Sequence, residues 1–153
     1  MKKRWAAMLT AAIGLGLCLC LFCGCKPVEV EEKPFYTLEE AYHYGWLKKS
    51  DLKSIARLYN NREPIDNAEL DSETTLAIKE AYCDLHNSKG YSDTITVEQV
   101  GFAYYGWYHD CAVIRIYYDD MGTGQVVWDE TVGGVTMHHT DGLGLSVWRQ
   151  QEL

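Results

Sequence analysis

The chain has 153 residues, 47% hydrophobic, 12% aromatic and 24% charged, with a formal net charge of −8 and six cysteines. This length holds one domain or two very small ones and excludes a large multidomain enzyme. Only three prolines and an ordinary apolar content exclude a collagen-like or disordered chain.

At the amino terminus Lys2, Lys3 and Arg4 precede residues 6–24, which contain no charged side chain, the layout of a secretory signal. Four of the cysteines, Cys18, Cys20, Cys23 and Cys25, lie within eight residues of this region, which argues against a disulfide scaffold. The stretch Leu21-Phe22-Cys23-Gly24-Cys25 resembles a bacterial lipobox, in which a small residue precedes the cysteine that receives diacylglycerol and becomes the new amino terminus. Of the four cysteines only Cys25 follows a small residue, so the resemblance makes it the lipidation site. Phe22 and Cys23 depart from the residues commonest in that motif. The other reading of residues 6–24 is an uncleaved membrane anchor, since 19 apolar and small residues approach the length of a span. Both readings put the remainder on the extracytoplasmic face of the cell membrane.

Cleavage before Cys25 removes three of the fourteen basic residues and none of the 22 acidic ones, leaving 11 against 22 and a net charge of −11. Such a chain is repelled by nucleic-acid backbones and anionic lipid, so no nucleic-acid partner is expected. Contact with the cytoplasmic membrane then comes from the lipid on Cys25, and no other cofactor is expected. Residues 25–34 read as an acidic tether, and 35–150 as one domain.

Within that domain Thr37-Leu38-Glu39-Glu40 is a capping box opening a helix over 38–44, stopped by Gly45. Leu52, Ile55, Ala56 and Tyr59 recur at helical spacing, predicting a helix over 51–60 with Ser50 as its cap. A third helix is expected over 72–87, from Ile78, Ala81, Tyr82 and Leu85, with Asp71 or Ser72 as cap.

Beyond Gly90 the apolar period changes to two. Strands are expected over 94–105, with a bulge near Glu98-Gln99, and over 111–118, joined by a loop of residues 106–110. In the second of these Arg115 faces away from Ala112, Ile114 and Ile116, toward solvent or a carboxylate. A turn at 121–124 leads to a third strand over 125–132. Residues 135–139 and 143–149 are expected to pair through a three-residue Thr140-Asp141-Gly142 loop, which puts Val135, Met137, Leu143, Leu145 and Val147 on one face. The expected fold is α+β, two or three amino-terminal helices packed on one face of a four- to five-stranded antiparallel sheet.

Phe35-Tyr36-Thr37-Leu38-Glu39-Glu40-Ala41-Tyr42, Gly45-Trp46-Leu47, Asp51-Leu52-Lys53-Ser54-Ile55-Ala56, Gly134-Val135-Thr136, Asp141-Gly142 and Val147-Trp148 resemble a group of uncharacterised small predicted lipoproteins of Clostridia-type Gram-positive bacteria. The resemblance implies a secreted, membrane-anchored α+β domain and transfers no catalytic residue.

Motifs with chemistry are sparse. His138 and His139 are strand neighbours, which point to opposite faces and cannot chelate one ion without a bulge. Cys83 and Cys111, the two cysteines of the domain, are placed where oxidation would permit a bridge; the other reading is two separate, part-buried thiols. Cys83 and His86 are helical neighbours, but nothing in the sequence orients them as a catalytic pair. Asp110, Asp119-Asp120 and Asp129-Glu130 match no calcium-loop spacing and read as a solvated rim. Around the hairpin tip, Tyr104, Tyr105, Trp107 and Tyr108 with His109 concentrate aromatic area of the kind binding surfaces use.

The expectation is therefore a non-enzymatic, lipid-anchored domain that presents Tyr105, Trp107, Tyr108 and His109 to an envelope protein or glycan. The alternative is a small cell-envelope hydrolase or thiol enzyme built on Cys83 or a histidine. A third reading is a structural accessory to a transporter or secretion complex.

Overall fold

The computed structural model describes residues 28–118 and 126–151. The segment 1–24, Cys25, the turn at 121–124, Asp119-Asp120 and the start of the third strand lie outside the described residues. Every element below belongs to the compact unit that begins at Glu32.

In chain order the elements are β1 (Phe35–Tyr36), α1 (Leu38–His43), α2 (Lys49–Asn60), a 3-10 turn (Asn67–Glu69), α3 (Ser72–Ser88), a second 3-10 turn (Val97–Gln99), β2 (Val100–Tyr108), β3 (Cys111–Tyr118), β4 (Trp128–Val132), β5 (Val135–His139) and β6 (Ser146–Arg149). The fold is α+β, with helices before the main strands. Four strands form an antiparallel sheet in the order β1-β6-β3-β2, and β4 and β5 form a separate two-stranded ribbon.

Local chemistry accounts for the helix starts. Thr37 accepts from the Glu40 amide at 3.1 Å and Glu40 accepts from the Thr37 amide at 2.8 Å, the reciprocal capping box. Asp71 caps α3 by accepting from the Thr74 amide at 2.7 Å. Helix α2 starts earlier than the Ser50 cap implies. Asp51 sits at the third helical position and accepts from the Lys48 amide at 2.7 Å, so the first turn is closed from Lys48 and Ser50 lies inside the helix.

The helices, expected on one face, divide between two. On one face Val100, Phe102, Tyr104, Ala112, Ile114 and Ile116 form a buried cluster with Ile78 and Cys83 of α3. On the other, Tyr105 meets Tyr59 of α2, ring centroids 5.2 Å apart. Alternation along β2 makes this unavoidable, because adjacent residues Tyr104 and Tyr105 are both buried and point to opposite sides.

Two hairpins differ from expectation. β2 runs on to Tyr108, which pairs with Cys111, so a two-residue His109-Asp110 turn replaces the five-residue loop, with His109 in the left-handed region at φ 56°. Residues 135–139 do not pair with 143–149. β5 pairs with β4 through Gly133 and Gly134, at φ 57° and 76°, a turn open to glycine whose twist matches that of the flanking strands. A Cβ on Gly133 would also sit 2.9 Å from the Tyr42 ring. Asp141 pairs with Arg115 and accepts from the Leu143 amide, so 140–145 is a crossover that carries β6 to the larger sheet between β3 and β1.

Two asparagines at helix carboxyl ends hold neighbouring backbone. Asn60 donates to the Thr136 carbonyl at 3.0 Å and accepts from the His138 amide at 2.8 Å, imitating a strand along the free edge of β5. Asn87 does the same to both backbone groups of Ile95, at 3.1 and 2.9 Å. Asn60→Ala strips two hydrogen bonds from β5 and is expected to cost about 1–2 kcal/mol in urea denaturation. A change below about 0.3 kcal/mol would show that solvent replaces both bonds without loss.

Candidate functional groove

The aromatic hairpin divides under packing. Tyr104 and Tyr105 are both buried, so Tyr105, expected at a binding surface, belongs to the core beside Tyr59. Tyr108 is half-buried, its hydroxyl donating to the Tyr105 carbonyl at 3.2 Å. His109 is exposed and lies 3.9 Å from the Asp51 carboxylate. Trp107 is 38% exposed.

What aims Trp107 is an irregularity in β2. Tyr104 pairs with Ile114 and Trp107 with Ala112, so Tyr105 and Gly106 together oppose Val113 alone. The extra residue is a bulge, and it returns Trp107 to the face that Tyr104 occupies. Gly106 adopts φ 127°, and a Cβ there would lie 2.7 Å from the Tyr108 ring. Glycine is the residue that permits this crossing. The bulge expected near Glu98-Gln99 is absent; those residues form the 3-10 turn instead.

Ala112 also pairs with Trp148 of β6, so Trp107, Ala112 and Trp148 form one row across three strands. The small alanine leaves room between the two indoles, whose centroids are 6.2 Å apart with planes inclined by 55°. Beside this row lie two adjacent hollows, of about 450 and 200 Å³, whose linings share Asp71, Thr74 and Gln150 and which together make up the groove. The larger includes Trp148 and Glu73; the smaller includes Trp107, Tyr104 and Glu69. Glu69, Asp71 and Glu73 are exposed. The Thr74 amide and hydroxyl, both donating to Asp71, hold its carboxyl below the usual range, so it stays ionised. Trp148 went unassigned in the sequence because its place depends on which strands flank β6.

The thiols are poorly suited to chemistry. Cys83 and Cys111 are both free and both buried. Burial pushes the Cys83 thiol up, and Asp84 and Glu98 nearby act in the same direction. Burial lifts Cys111 to about 11, keeping it protonated at neutral pH. His86 is buried among the rings of Tyr82, Tyr91 and Tyr118, with centroids 5.0–6.4 Å away. Among the described residues neither thiol is shifted downward as an activated nucleophile's would be.

The neighbouring histidines face opposite ways, as strand alternation requires. His138 is exposed, with Nδ1 2.8 Å from Asp129. His139 is fully buried, Nδ1 2.7 Å from the Tyr59 hydroxyl and Nε2 3.1 Å from Glu130. The two ring nitrogens thus bridge the Tyr59 hydroxyl and the Glu130 carboxylate. Trp128 stacks over the imidazole at 3.8 Å and 11°. This chain ties the β4–β5 ribbon to α2, and its histidine is closed to any substrate. Asp129 and Glu130, read as a solvated rim, are the partners of the two histidines. Among the described residues no group of three or more His, Cys, Asp or Glu is arranged to hold a metal, and no helix is long and apolar enough to cross a membrane.

Comparison with protein-family models, curated proteins and solved structures finds no match for this chain.

Proposed function

We propose that this chain is a lipid-anchored extracytoplasmic lipoprotein whose domain binds a cell-envelope glycan in the Trp107–Trp148 groove without catalysing a reaction. The observation that carries the reading is the row Trp107–Ala112–Trp148, flanked by amide and carboxylate groups. Flat indole faces suit the C–H faces of sugar rings, and the Gln150 amide suits their hydroxyls. Lipidation at Cys25 and the extracytoplasmic location rest on the charge and apolar layout of residues 1–25. The buried, protonated thiols weigh against the thiol-enzyme alternative.

Co-sedimentation with purified cell-wall polysaccharide tests the reading. The wild-type chain is expected in the pellet. Trp107→Ala is expected to keep its far-ultraviolet circular dichroism and thermal midpoint while losing roughly tenfold or more in affinity, as loss of an exposed aromatic anchor does. Retained binding by a folded Trp107→Ala chain, or no binding by the wild type, would refute the proposal.

A further inference from the structure

The charge around the groove narrows the ligand. Glu69, Asp71 and Glu73 bring three carboxylates to its rim, on the loop before α3 and its first turn. Asp71 is engaged by Thr74, which leaves Glu69 and Glu73 to face a ligand. Among the described lining residues the one cation, Arg149, places its guanidinium 4.5 Å from the ring centroid of Trp46, which belongs to a different hollow. The groove therefore combines two indoles with an excess of negative charge, inside a chain already at −8. A neutral sugar would leave the rim carboxylates to water. A uronic acid or phosphorylated polymer would meet like charge at every step. An ammonium group is favoured by the carboxylates and suits the partly exposed indole of Trp107.

We infer that the groove selects a glycan bearing free amines, a polymer of de-N-acetylated amino sugars, over its acetylated counterpart. The inference rests on the glycan-binding reading and adds the charge of the ligand to it. The indoles hold the sugar rings, and Glu69 and Glu73 take the protonated amines that acetylation would remove. Nothing covalent is required, so affinity should fall with salt in proportion to the ammonium contacts.

The test is calorimetric titration of the full-length chain in neutral detergent at mildly acidic pH, where sugar amines are protonated. The probes are a glucosamine tetramer and an N-acetylglucosamine tetramer. The amine-bearing tetramer is expected to bind roughly tenfold more tightly than the acetylated one, and Glu69→Gln with Glu73→Gln is expected to bring the ratio of the two affinities close to one. Equal affinities, or preference for the acetylated tetramer, would overturn the inference and leave the groove a glycan site that reads stacking alone. A preference that survives the double Gln variant would also overturn it, because the charge would then be read elsewhere. Failure of both tetramers to bind would overturn it as well, and the polysaccharide sedimentation of Trp107→Ala then judges the broader reading separately.

Discussion

Truncating His139 to Ala is expected to cost about 3 kcal/mol or more of folding stability. The imidazole is fully buried. Its removal leaves a cavity under Trp128 and takes from the buried Tyr59 hydroxyl and from Glu130 the ring nitrogens they pair with. Unpaired buried polar groups and cavity formation add in the same direction. Tyr59→Phe keeps the ring packing against Tyr105 and removes one hydrogen bond, so it should cost only about 1 kcal/mol. His138→Ala, at an exposed side chain bonded to exposed Asp129, should change stability by less than about 0.5 kcal/mol. Urea denaturation of the three variants checks the ranking. A His139→Ala cost as small as that of His138→Ala would mean that the ribbon is held to α2 by apolar contact alone.

The second large effect concerns attachment. Cys25→Ala is expected to abolish metabolic labelling by a fatty acid, and wild-type protein is expected to have the mass of a chain starting at a diacylglyceryl Cys25. Membrane affinity after cleavage has no electrostatic source, since that chain carries 11 basic against 22 acidic residues. One acyl chain would hold it only marginally, and a diacylglyceryl group supplies two. Undiminished labelling of the Cys25→Ala chain would place the lipid elsewhere or remove it from the protein's biology. A wild-type mass that retains residues 1–24 would favour the uncleaved anchor.

Much of the fold was legible because its signals are local. The capping box at Thr37 and Glu40, the Asp71 cap and the 3.6-residue spacing of Leu52, Ile55, Ala56 and Tyr59 each act within one or two turns. They gave three helices close to their observed limits. Strand β3 was readable for the same reason, and Arg115 lies on its expected side with Asp141 as its carboxylate. β1 was invisible, since two residues become a strand only through pairing with Val147 and Trp148.

The hairpin choice shows where pattern reading fails. Apolar phase alone favoured joining 135–139 to 143–149, because that register gathers five apolar side chains on one face. Two successive glycines at positive φ offered a tighter solution, and the strand after them turned back on β4. The residues 140–145 then had to cross between sheets, which moved Trp148 beside Ala112 and created the groove.

The sequence by itself determined the charge, the layout of the amino terminus, the helices and the sidedness of His138 and His139, since each depends on neighbours along the chain. Tertiary structure decided which aromatics are available. Tyr105 was spent on the contact with α2, and Trp107 was returned by the Gly106 bulge to the face where Trp148 lies. The physical reason is that one extra residue in a strand reverses the facing of all that follows, and its position is set by the partner strand.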